Sequence, residues 1–235
     1  MSAFTFTAPI VTEEEEQAER DALTEEERRR IEKDLYGEET EIIETEELLN
    51  NGLIMIQEAL DALPLGLKTD YMRACEISPD LVERESPFIR FLRVSEWDAW
   101  MAAERLVNYW KVRVKIFGSD RAFLPMTLDG ALTEDVPYLE KAVIFRLPSD
   151  KWGRPVLFFD RIRCVKEIAP RDSVIRCLWY VMQTMSDEQV VQKKGYVAVS
   201  SMRVSTLREL LFSVDQEWAQ SIFTNADLLL NCLKI

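Results

Sequence analysis

The stretch "WGRPVLFFDRIR", residues 152–163, constrains the fold more than any other part of the chain. Gly153 and Pro155 punctuate a turn. Val156, Leu157, Phe158 and Phe159 follow as an apolar run, too short for a helix and rich in aromatic and β-branched residues. That pattern predicts a strand buried on both faces. Alternation along a strand puts Leu157 and Phe159 on one face, Val156 and Phe158 on the other. One face needs a layer of helices. The other needs either more protein or something the protein carries, and the sequence leaves open which pair meets which.

The flanking segments supply the layers. "AVIFRLP" predicts a preceding strand from Ala142, and "SDKWGR" has the turn chemistry of an antiparallel pair. A single long helix is expected from about Pro170 to Val191, with Val174, Leu178, Trp179, Met182 and Met185 on one side and Gly195 stopping it. "YVAV" predicts another short buried strand. Further on, Thr206 and Glu209 have capping-box spacing, and Asp215 is a candidate cap for a helix carrying Trp218, Ile222 and Phe223.

Upstream the texture is helical. Leu48, Leu49, Leu53, Ile56, Leu60 and Leu63 recur at helical spacing until Pro64 and Gly66. In "ESPFIRFLR", Ser86 is the expected cap with Pro87 at the first helical position. Arg90 and Arg93 have Glu83, Glu85 and Glu96 as nearby ion-pair partners. After the break "VSEWD", Asp98 caps a helix whose Ala99, Ala103, Leu106, Val107, Trp110 and Val114 share a face, ending at Gly118. One further helical turn is expected in "LTEDVPYLEK". The order therefore predicts an α/β fold, an N-terminal helical module followed by a mixed, partly parallel sheet with covering helices. Its expected divisions are an acidic arm over 1–45, the helical module over 46–124 and the α/β part over 125–235.

Charge separates the arm from the rest. The net charge is −13, and residues 1–50 hold 17 acids against 5 bases, whereas residues 51–235 hold 25 against 24. The arm reads as a solvated acidic segment, with a protein partner as its other role. Nucleic acid is not an expected partner, since phosphate affinity comes largely from Lys and Arg. The chain has no histidine, which removes Ser-His-Asp and Cys-His catalysis and most zinc sites. Cys75, Cys164, Cys177 and Cys232 show no CxxC spacing and read as reduced small hydrophobes. With neither a secretory signal pattern nor an apolar run long enough to span a bilayer, a monomeric cytoplasmic protein is expected, peripheral to membranes at most. Asp160, at the end of the central strand, is the one carboxylate placed where a general base could stand, but Arg161 and Arg163 make an ion pair its simpler role.

Two motifs carry a resemblance. "FIRFLRVSEWDAWMAAERLVNYWKVR" resembles the helical N-terminal module of CRAL-TRIO proteins: FLR, a short break, an aromatic residue before Asp, then an AA-containing helix ending W-x-x-R. "KWGRPVLFFDRIR", after Asp150, resembles the D-x-x-GRPV strand that opens the lipid-binding domain of the same family. The likeness runs from about Leu81 to Tyr196. That family includes transfer proteins for phosphatidylinositol, tocopherol and retinaldehyde. The resemblance implies a sheet forming the floor of an apolar cavity, helices over it, and one lipid held away from water.

Three departures accompany it. The break after FLR reads Val94, Ser95, Glu96, where phosphatidylinositol-binding members carry basic residues. Gly195 and Val197 stand where those members place hydroxyl residues, with Ser200 and Ser201 close by. The sequence ends at "DLLLNCLKI", where the family continues with further strands, a gating helix and a cover, so an incomplete lipid-binding domain is expected. The expected function is non-catalytic binding and transfer of a hydrophobic lipid or isoprenoid, exchanged at a membrane surface, without a cofactor or metal. Expected lining residues are Phe145, Leu157, Phe159, Trp179, Met182 and Tyr196, each of which core packing would equally explain. The other reading is a protein-interaction scaffold that uses the arm and the helical module and has no functional lipid pocket.

Overall fold

A computed structural model describes residues 12–36, 42–160, 163 and 170–201. The acidic arm is helical where described. In α1 (Glu13–Ala22), Thr12 accepts from the Glu15 amide while the Glu15 carboxylate accepts from the Thr12 amide, a reciprocal capping box. Thr24 and Glu27 open α2 (Glu25–Tyr36) in the same way. No residue of α1 is buried, so it stands in solvent on its caps and charge pairs.

The helical module begins with α3 (Glu46–Ala62), capped by Thr45, and continues through a 3-10 turn (Leu65–Leu67), α4 (Thr69–Ile77), α5 (Pro79–Glu85), α6 (Phe88–Val94) and α7 (Ala99–Arg121). Asp98 caps α7 as expected, accepting from the Met101 amide at 2.9 Å. Ser86 does not cap α6. It already forms the C-terminal cap of α5, and its hydroxyl donates to the Val82 carbonyl and accepts from Trp110 Nε1. Between α6 and α7 the chain reverses through two non-glycine residues at positive φ, Glu96 (53°) and Trp97 (69°). Trp97 comes down on α3 at Gly52, where a Cβ would approach its ring to 3.1 Å. The glycine inside α3 is what admits the indole.

A buried polar cluster joins this module to the rest. Arg113 on α7 is fully buried and donates to Glu85 Oε2 (2.6 Å), the Tyr109 hydroxyl (2.8 Å) and the carbonyls of Ala122 and Leu124 (both 2.7 Å). Glu85 Oε1 accepts from the Met126 amide, and the Glu85 carbonyl accepts from Arg90 and from Gln183. Arg90 also pairs with Asp187, and Arg93 pairs with Glu44 at 2.7 Å, partners far away in sequence. Hydrogen bonds from Arg93 hold the Glu44 carboxyl below its ordinary range against a small burial cost, with Lys193 assisting.

The α/β part contributes α8 (Val136–Leu139), β1 (Ile144–Leu147), β2 (Val156–Asp160), α9 (Arg171–Ser186), α10 (Gln189–Lys194) and β3 (Val197–Ser201). The sheet order is β1-β2-β3, with β1 antiparallel and β3 parallel to β2, a mixed sheet in an α/β fold. The single helix expected over 170–191 is two, because Glu188 is extended (ψ 127°). Asp187 at the break pairs with Arg90, and Gln192 caps the Ser186 carbonyl at 2.9 Å. Gly195, at φ 72°, ends α10. One hydrophobic core runs from Ile56 on α3 to Tyr196 before β3, crossing residue 124 without interruption.

A second anchor holds α9. The Asp135 side chain is 1% exposed and accepts from Arg121 (2.7 Å) and from two nitrogens of Arg176 (2.7 and 2.9 Å). Burial works against its charge, but hydrogen bonds from Arg176, Ser173 and Arg121 and the charge of Arg176 outweigh it and hold the carboxyl below its usual value. A depressed folded value means that the stability it adds is complete above the unfolded pKa and disappears as pH falls through the folded one. Asp135→Asn takes the buried anion from Arg176 and leaves Arg121 only the exposed Glu134, and is expected to cost about 3 kcal/mol near neutral pH. It should also flatten the acid limb of stability. Urea unfolding of both chains from neutral pH to about pH 3 checks this; parallel curves would show that Asp135 contributes nothing to the acid limb.

Candidate functional site

The register of the three strands sorts their side chains onto two faces of different character. Ile144, Arg146, Leu157 and Phe159 share the inner face with Ala198 and Ser200. There Ile144 and Leu157 are buried in the common core and Phe159 packs against it. The outer face carries Phe145 and Leu147 from β1, Val156 and Phe158 from β2, and Val197 and Val199 from β3, six residues bounded at one end by the hydrogen-bonded pair Asp160 and Ser201. All six are apolar, and none belongs to the core or packs against it. Phe145 and Phe158 lie directly across from each other with ring centroids 5.2 Å apart.

This corrects the expectation of a strand buried on both faces. In β2 only Leu157 is buried, while Val156, Phe158, Phe159 and Asp160 are half-buried. β3 is not a buried strand either, with Val199 42% exposed. The reason is local: β3 is the sheet's edge among the described residues, and the described helices that join the core lie on the inner side. The expected caps at Thr206 and Asp215 and the apolar residues from Leu228 onward lie outside the described residues, as do Cys164 and Cys232.

The six expected lining residues divide accordingly. Leu157, Trp179, Met182 and Tyr196 are buried members of the core, and Phe159 packs against it. Trp179 sits 5.2 Å from the Tyr109 ring and 6.1 Å from that of Phe117, inside a cluster of protein aromatics. Phe145 alone lies on the outer face. The residues that join it there, Leu147, Val156, Phe158, Val197 and Val199, are legible in the sequence only as one of two alternating sets. The pairing of Phe145 with Phe158, each the second or third residue of its strand, fixes the phase.

The remaining polar groups near the sheet are occupied. Asp160 accepts from the Ser201 hydroxyl at 3.0 Å and pairs with Arg163 at 3.6 Å, while its amide donates to the Val143 carbonyl at 2.7 Å. The turn that leads into β2 is fastened by Asp150, which accepts from the amides of Trp152 and Arg154 and from the Arg154 guanidinium. This explains the D-x-x-GRPV pattern: the Asp and Arg clamp the loop, and Gly153 takes its φ of 82°. Cys177 is buried beside Asp135, and burial pushes its thiol up to about 12, an inert sulfur. Among the described residues no group of His, Cys, Asp or Glu could hold a metal ion, and no helix is long and apolar enough to cross a membrane. No protein-family model and no curated protein matches the chain.

The two faces predict opposite mutational costs. Leu157→Ala empties core volume and is expected to cost about 3 kcal/mol. Val199→Ser, on the outer face, should change stability by less than about 0.5 kcal/mol. Urea unfolding of the two variants checks the assignment, and equal costs would contradict it.

Proposed function

We propose that the protein is a non-catalytic carrier of a hydrophobic ligand, a lipid or isoprenoid, which it binds on the outer face of the sheet and exchanges at membrane surfaces. One observation supports this reading above the others: a three-stranded floor of six apolar side chains, two of them paired phenylalanines, with the core entirely on its other side. Five of these side chains are half-buried and Val199 is exposed, so the fold leaves apolar surface here that its core does not cover, and such surface marks a place where something binds. A ligand here would be held by burial, with no bond made or broken. About sixteen methylenes removed from water at about 0.8 kcal/mol each give about 13 kcal/mol, which leaves micromolar affinity after about 5 kcal/mol of immobilisation cost.

The chemistry of the rim favours an uncharged or weakly polar head over a phosphoinositide. Arg146, the basic residue of β1, is committed to Glu188, and Arg163 to Asp160. Ser95 and Glu96 stand in the break after FLR, and β3 itself carries the hydroxyls of Ser200 and Ser201, the latter bonded to Asp160. The likeness to CRAL-TRIO sequences points the same way. So does the Asp150–Arg154 clamp, which gives the most recognisable part of that motif a role at the mouth of the sheet.

The test is binding of parinaric acid, whose fluorescence rises on leaving water, to the full chain. Saturable binding of one molecule per chain with micromolar affinity is expected. Phe158→Asp should weaken it at least about tenfold while leaving the unfolding transition within about 1 kcal/mol of the parent. Equal affinity in the two proteins would sink the proposal.

A further inference from the structure

Independently of the sheet, the helical module has an apolar groove that its own packing does not fill. Leu53, Tyr71, Cys75, Val82 and Phe88 line a cavity of about 390 Å³ between α3, α4 and the corner from α5 to α6. Leu53 and Phe88 continue into a second, more open hollow of about 530 Å³ beside Ile54, Gln57 and Glu58. Leu53 is 41% exposed and Ile54 57%. Seven of the sixteen large apolar side chains exposed among the described residues fall between Leu53 and Ile77, so the exposure is concentrated on this module.

The charge around the groove selects its occupant. Helices α3, α4 and α5 hold nine acidic residues against two basic ones, Arg73 and Arg84. Arg73 lies over the Phe123 ring and Arg84 pairs with Glu85. Glu58 and Glu83 stand in the lining itself. An apolar floor between acidic walls suits a helix with an apolar stripe and cationic flanks. The same walls repel an anionic bilayer, and they repel the chain's own acidic helices α1 and α2.

We propose that this groove docks a basic amphipathic α-helix of a partner protein, its apolar anchors at i, i+3 or i+4 spacing entering beside Leu53 and Phe88. Glu58 and Glu83 meet its Lys or Arg side chains, which sets orientation and makes association salt-dependent. The acidic arm raises the rate of encounter by attracting the same cation-rich segment.

The probe is a fluorescein-labelled amphipathic peptide of Leu and Lys, about eighteen residues or five turns long, titrated into the full chain and followed by polarisation. Saturable one-to-one binding is expected, weakening as salt rises. Leu53→Gln should reduce affinity at least tenfold, and Ile54→Gln provides a second groove variant should the first unfold. Leu65→Gln, on the same module but outside the groove, should leave it within about twofold. The double variant Glu58→Gln with Glu83→Gln should weaken binding and lessen its salt dependence. If the Leu53 and Ile54 variants bind as the parent does, the peptide is held by the arm's charge alone and the proposal is overturned. Equal binding of a Leu and Glu peptide would overturn it too. So would groove-dependent capture of phosphatidylserine vesicles in place of the peptide.

Discussion

Arg113 has no solvent exposure, so the protein itself must satisfy every donor the guanidinium presents. Its partners come from four directions: Glu85 at the end of α5, Tyr109 one turn back on α7, and the carbonyls of Ala122 and Leu124 in the segment after α7. Glu85 in turn holds the Met126 amide, and its carbonyl takes Arg90 and Gln183. A buried cation of this kind is costly to desolvate and becomes more costly if any partner is lost, so it specifies one arrangement of the helices around it. The apolar core from Ile56 to Tyr196 forms around that arrangement.

The consequence for the sheet is geometric. Gln183 on α9 reaches both Tyr109 and Glu85, and Arg176 on the same helix reaches Asp135. With α9 fastened at these two points, Trp179 and Met182 between them enter the core that also takes in Leu157 and Ile144. Ile144, Leu157 and Phe159 on the inner face are thereby covered by protein, while the phenylalanine and valine side chains of the outer face stay outside the core. The polar network and the apolar face are two consequences of how α9 is seated.

Local signals in the sequence are reliable, and those that depend on distant partners are not. Asp98 as a cap, Gly195 as a stop, the turn between β1 and β2 and the antiparallel pairing all follow from residues within a few positions of one another, and the structure has each of them. Ser86 departs from its expected capping role because its hydroxyl answers to Trp110, 24 residues away. The helix expected over 170–191 breaks where Asp187 meets Arg90, 97 residues away. The two faces of β2 cannot be told apart in the sequence because alternation is informative only when polar and apolar residues alternate, and Val156 to Phe159 are all apolar. Packing against Trp179 and its neighbours, a long-range event, makes Leu157 the inner residue. Arg113 gives no warning beyond being the last letter of W-x-x-R. On sequence alone, a charged residue at the end of a helical face reads as solvated.

Whether the outer face of the sheet is an apolar binding surface is tested most directly by native mass spectrometry of the full chain, followed by organic extraction and identification of whatever is released. One hydrophobic molecule per chain, in a folded monomer, is the predicted result. A folded monomer that remains empty after incubation with a total lipid extract would contradict it.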